Sequence, residues 1–107
     1  FPICGNLPDD TYTYQGQRYT LKQHGFARNL PWTVVQQATD GGASITLVLK
    51  SDAQTRSVYP FDFEVEFTYT LKGNSLQIFQ RWTVCPPKQC RFQRGYILIF
   101  WLWIRKN

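Results

Sequence analysis

The chain has 107 residues, room for one small domain. Its net charge of +5 comes wholly from residues 82–107, where Lys88, Arg91, Arg94, Arg105 and Lys106 face no acidic residue. Residues 1–81 hold seven basic and seven acidic side chains, which argues against a basic nucleic-acid-binding body, and no apolar run reaches the roughly 20 residues that a membrane-spanning helix needs.

In chain order, Thr11-Tyr12-Thr13-Tyr14 and Gln17-Arg18-Tyr19-Thr20-Leu21 are short β-prone runs around Gln15-Gly16, where the glycine permits a tight turn. Pro31-Trp32-Thr33-Val34-Val35 is a further β-branched run. Asp40-Gly41-Gly42 signals a turn, and Ser44 to Leu49 follows with Ile45, Leu47 and Leu49 on one face. Asp52 to Ser57 reads as a loop or one helical turn. The clearest strand is Phe61 to Leu71: Phe61, Phe63, Val65, Phe67, Tyr69 and Leu71 alternate with Asp62, Glu64, Glu66, Thr68 and Thr70. Period two predicts one buried and one wet face. Lys72-Gly73-Asn74-Ser75 turns the chain, and Leu76, Ile78 and Phe79 begin the return strand of an antiparallel hairpin.

Short strands at this spacing predict an all-β sandwich or barrel. Four or five strands do not close such a core, so the segment reads as part of a larger domain. The chain opens on Phe1-Pro2-Ile3 without a methionine, which fits a processed chain or a piece of a longer one. An open sheet leaves unpaired edges and predicts self-association through them.

The alternating pattern stops at Trp82. Three of the four tryptophans and two of the three cysteines lie beyond Arg81, so two compositions meet near that residue. Tyr96 to Ile104 is an uninterrupted apolar run of nine residues, too short to span a membrane and suited to a buried strand. Cys85 and Cys90 are five apart and the chain has one histidine, so no metal site is expected.

Two stretches carry a family resemblance. One is Phe1-Pro2-Ile3-Cys4-Gly5-Asn6-Leu7-Pro8-Asp9-Asp10 together with Leu21-Lys22-Gln23-His24-Gly25-Phe26-Ala27-Arg28-Asn29-Leu30-Pro31-Trp32. The other is Tyr59-Pro60-Phe61-Asp62-Phe63, which leads into the hairpin. The His-Gly-Phe-Ala-Arg run before Pro-Trp resembles bacterial aldose 1-epimerases and the related hexose-6-phosphate epimerases. The resemblance covers residues 1–81 and implies an antiparallel piece of a galactose mutarotase-like β-supersandwich. Residues 82–107 depart from the family. Read one base out of frame with permitted codons, they can give Met-Pro-Ile-Ser-Ala-Gly-Leu-His-Pro-Tyr-Phe, similar to the family's next segment with its second active-site histidine. A frameshift near Arg81 is therefore expected; a family variant with a new tail is the alternative.

The resemblance implies a cofactor-free cytoplasmic isomerase that interconverts the α and β anomers of a hexose or hexose 6-phosphate. A base takes the proton of the C1 hydroxyl, an acid protonates the ring oxygen, the ring opens, and it recloses after the C1–C2 bond turns. Acid and base must stand on opposite sides of the anomeric centre, and histidine suits the acid side because it titrates near neutrality. The motif makes His24 the catalytic candidate, against a bland reading as a turn histidine before Gly25. Arg28 is a candidate phosphate contact, since guanidinium grips phosphate in a fork, or else a solvated surface arginine. Asn6 stands where many relatives carry an arginine after glycine, which favours neutral sugars. Trp32 is a candidate for stacking on a sugar face and equally a core residue. The family's catalytic base is a glutamate farther downstream; Glu64 and Glu66, on the wet face of a strand, do not match its motif. This chain alone is thus expected to be inactive. The alternatives are a noncatalytic carbohydrate-binding domain, a nucleic-acid module using the basic aromatic tail, and a chain without function.

Overall fold

The structure, a computed structural model, describes residues 1–85 and 104–105. The architecture is antiparallel β throughout, as the alternation implies, with one short helix. Strands β1 (Thr11–Tyr14) and β2 (Gln17–Thr20) form a separate hairpin. Strands β3 (Thr33–Ala38), β4 (Ala43–Lys50), β5 (Asp62–Lys72), β6 (Ser75–Cys85) and β7 (Ile104–Arg105) lie side by side in that order as one five-stranded sheet. Helix α1 (Ala53–Val58) links β4 to β5. Most of the basic aromatic tail and of the Tyr96–Ile104 run lies outside the described residues; of that run only Ile104 is placed, paired with Leu76.

Local chemistry explains the elements. Gln15 and Gly16 both have positive φ, 49° and 77°, the combination that a two-residue turn needs to match strand twist. The Asp52–Ser57 segment is helical because Asp52 builds a capping box. Its carboxylate accepts the Thr55 N–H at 2.8 Å, and its own N–H donates to Thr55 Oγ1 at 2.9 Å. Strand β3 starts two residues later than the Pro31–Val35 run and reaches Ala38, because it pairs with β4 as far as Ser44. It skips Val35, leaving a bulge between Val34 and Gln36.

The core lies on one face of the sheet. Leu49, Phe63 and Val65 are buried there with Ala27, and Phe1, Phe26, Leu30, Trp32, Tyr59, Phe67 and Trp82 pack around them. Three expectations need correction. Burial fades along β5: Val65 is 1% exposed but Leu71 is 51% exposed, because the covering loop of residues 21–32 packs over the Phe63 end. The opposite face is drier than alternation predicts. Thr46 and Val48 are buried there, Thr46 and Thr68 share a hydroxyl hydrogen bond at 2.9 Å, and Glu64 and Glu66 pair with Lys50 and Arg81 across the strands. The pattern also does not stop at Trp82. In register, Leu76, Ile78, Trp82 and Val84 share the face of Val65, and β6 runs on to Cys85.

The β1–β2 hairpin is tied to α1 by Tyr12, whose hydroxyl donates to the Val58 carbonyl at 2.7 Å and whose ring stacks on Tyr19. Burial, then the neighbouring Tyr19 and Tyr59, push the Tyr12 hydroxyl up to about 12, from an ordinary value near 10. Burial also raises Tyr59. The folded state thus disfavours both tyrosinates; the Tyr12 contribution to stability is complete below pH ~10 and is lost as pH rises through about 12. Ultraviolet tyrosinate absorbance followed against pH is expected to show late-titrating tyrosines that ionise together with loss of the β circular-dichroism signal. Titration of all six tyrosines as ordinary exposed groups, with the fold intact, would contradict this.

Candidate functional site

Three of the four site candidates, His24, Arg28 and Trp32, sit on the covering loop, and backbone hydrogen bonds hold that loop. The Phe1 carbonyl accepts the N–H groups of both Phe26 and Ala27, at 3.0 and 3.1 Å, and the Phe1 amine donates to the His24 carbonyl at 3.2 Å. Gly25 N–H closes a turn onto the Lys22 carbonyl at 2.9 Å. Ala27–Asn29 is a 3-10 turn whose Ala27 side is buried in the core. The His-Gly-Phe-Ala-Arg run is thus threaded over the first residues of the chain and anchored by Phe26 and Ala27.

Gly25 is required by this threading. Its φ is +71°, and a Cβ there would lie 2.4 Å from the Phe1 carbonyl oxygen. His24 also sits in the left-handed region, at φ +63°, where a non-glycine residue is strained by roughly 1–2 kcal/mol. Gly5 offsets that strain from two directions. The His24 N–H donates to the Gly5 carbonyl at 2.7 Å, and the Gly5 N–H donates to His24 Nδ1 at 3.1 Å. His24 is half-buried.

The other candidates are distributed around this clasp. Asn6 follows Gly5 and is exposed. Arg28 is exposed in the 3-10 turn, and none of the ion pairs among the described residues involves it. Trp32 is half-buried. Its Nε1–H donates to the Ala27 carbonyl at 2.9 Å, and its ring lies 5.3 Å from that of Phe67. It packs against the core, so its indole N–H and one side of its ring are engaged by the protein. Glu64 and Glu66 serve cross-strand ion pairs.

Sequence reasoning missed Gly5. It lies 19 residues from His24, and nothing local marks a glycine as the partner of a distant imidazole. Its position beside Asn6 in the Pro-Ile-Cys-Gly-Asn stretch was the one available pointer.

The aldose 1-epimerase family model matches residues 2–95. Among solved structures, the Slr1438 protein of Synechocystis sp. PCC 6803 is 51% identical with a TM-score of 0.73, over 77% of this chain and 28% of that one. A galactose mutarotase related enzyme from Lactobacillus acidophilus is 44% identical with a TM-score of 0.66, over 76% of this chain and 27% of that one. A Salmonella typhimurium protein named as a candidate glucose-6-phosphate 1-epimerase is 46% identical over 44 residues, 40% of this chain and 15% of that protein. The chain spans about a quarter or less of the length of the curated relatives it matches, at 26% and 15%. No helix among the described residues is long and apolar enough to cross a membrane. With the antiparallel sheet, the threaded His-Gly-Phe-Ala-Arg loop and these matches together, the chain belongs to the aldose 1-epimerase family and shares part of the galactose mutarotase-like fold.

Proposed function

We propose that this chain carries the histidine- and arginine-bearing edge of a hexose site, and that the protein it belongs to interconverts sugar anomers in the cytoplasm without a cofactor. The observation that carries the reading is the pairing of two features on one loop held by backbone hydrogen bonds. His24 is clasped through its backbone and Nδ1, and no hydrogen bond among the described residues engages Nε2. Arg28, four residues on, is exposed and outside the ion pairs of the described residues. An imidazole and a guanidinium so arranged suit a sugar oxygen and a phosphate respectively. The family match and the names of the relatives, one a mutarotase-related enzyme and one a candidate hexose-phosphate epimerase, support the same class of substrate. Arg28 favours the phosphorylated sugar, whereas Asn6, which brings no charge, favours the neutral one.

The catalytic base is proposed to come from a glutamate outside these 107 residues, and the second histidine from the segment that a frameshift near Arg81 would restore. Residues 1–81 carry the motifs on this reading and the divergent segment lies in the tail beyond them, although the family model's match runs on to residue 95. A polarimetric mutarotation assay on the purified chain is then expected to show no catalysis above the spontaneous rate, because a sugar contact without an opposed acid and base does not open the ring. Saturable catalysis would overturn that part. Calorimetry completes the test: hexose 6-phosphate is expected to bind more tightly than the free hexose, and Arg28→Ala to remove the difference, weakening phosphate-ester binding by about tenfold or more. Equal binding of both sugars, unaffected by Arg28→Ala, would favour a noncatalytic carbohydrate-binding role for neutral sugars. A failure of either sugar to bind would contradict the reading.

A further inference from the structure

We infer that Gly5 is a positioning residue that locks His24 in its neutral Nε2–H tautomer, making His24 a hydrogen-bond donor to the ligand rather than the acid that gives up a proton. A ring nitrogen that accepts an N–H must present its lone pair, and in a neutral imidazole the other nitrogen then carries the proton. His24 Nδ1 accepts the Gly5 N–H at 3.1 Å. The second bond of the pair, His24 N–H to the Gly5 carbonyl at 2.7 Å, fixes the backbone against the same residue. The Phe1 amine on the His24 carbonyl and the two N–H groups on the Phe1 carbonyl hold both neighbours of the clasp. Among the described residues the ring therefore has one polar atom left, Nε2–H, and that atom is a donor.

The consequence is chemical. If Nε2–H gave its proton to a sugar ring oxygen, the residue left behind would be an imidazolate, far too basic to form near neutral pH. To act as an acid, His24 would first have to be protonated at Nδ1, and that breaks the Gly5 bond. The clasp thus selects the other known use of a histidine in carbonyl and sugar chemistry, a neutral imidazole that holds and polarises an oxygen through a hydrogen bond. Proton delivery to the ring oxygen falls to a different group. The role toward a sugar rests on the function proposed above; the tautomer does not.

His24 is the one histidine in the chain, so its ring nitrogens form a single spin system. Long-range 15N–1H correlation on the uniformly labelled full chain is expected to show a bare, pyridine-like Nδ1 and a protonated, pyrrole-like Nε2. A scalar coupling is expected across the hydrogen bond from the Gly5 amide to Nδ1. A protonated Nδ1, or a Gly5 amide that exchanges freely and shows no coupling, would overturn the inference. Two substitutions separate positioning from mere folding. His24→Asn supplies an oxygen near the place of Nδ1, so Gly5 amide exchange is expected to stay slow while hexose phosphate binding falls. His24→Ala is expected to speed that exchange as well; equal protection in both variants would overturn the clasp. If the tautomer is as stated and hexose phosphate leaves Nε2 unmoved, the sugar-site reading fails and the lock stands.

Discussion

Phe63→Ala is expected to cost about 3–5 kcal/mol, enough to unfold much of the population of a domain this small. Phe63 is buried in β5, and its ring meets three others: Phe1 at 5.1 Å, Phe26 at 5.7 Å and Tyr59 at 6.1 Å. These rings come from the first residue, the covering loop and the segment after α1, so one side chain joins three parts of the chain to the sheet. Truncation would leave a cavity among side chains held by separate backbones, which cannot all collapse into it. Denaturant unfolding followed by tryptophan fluorescence checks the loss. A change below about 1 kcal/mol would mean that the ring cluster does not organise the core.

Gly25→Ala is the second large effect, and it acts on the site directly. A left-handed φ costs a side-chain-bearing residue roughly 1–2 kcal/mol, and the added Cβ would meet the Phe1 carbonyl oxygen at 2.4 Å. That oxygen is held by the Phe26 and Ala27 N–H groups, so it cannot move away without breaking the anchor of the loop. A combined loss of about 3 kcal/mol is expected, together with loss of the His24 clasp. Gly16→Ala is the control. Gly16 also has positive φ, +77°, but nothing lies within 4 Å of a Cβ built there. Its cost should be the backbone term alone, about half as large or less. Equal losses at the two positions would mean that the Phe1 contact contributes nothing.

The sheet was legible because its information is local. The alternation from Phe61 to Leu71 is carried by neighbours in sequence, and it places Phe63 and Val65 on the buried face. The Gln15-Gly16 turn rests on two adjacent residues in the same way. What sequence could not provide was cover. Whether Leu71 is buried depends on where residues 21–32 pack, and the dryness of the Thr46–Thr68 face depends on Val48 and Phe79 from neighbouring strands. The return strand of the hairpin was read rightly, but its end was set too early: Gln80 interrupts the apolar face, and only pairing with β5 shows that Trp82 and Val84 continue it.

The candidate site divides along the same line. His24 and Arg28 were visible because a short motif names both. Trp32 could be weighed but not decided, since the choice between a sugar face and the core turns on Phe67 and Ala27, which are distant or silent in sequence. Gly5 was invisible as a functional residue for the reason that makes it effective: its whole contribution is backbone N–H and C=O, which every residue has. Among the described residues β3 is an edge strand, with Val34 and Val35 exposed and no charged residue in it, and self-association is proposed to use that edge.

The measurement that tests the central claim most directly is a titration of the His24 Nε2 resonance with hexose 6-phosphate in the purified full chain. A saturable shift of that resonance, weakened by Arg28→Ala and smaller with inorganic phosphate alone, is the predicted result. A resonance that stays fixed while the chain is folded and the sugar is in large excess would contradict the assignment of this loop to a sugar site.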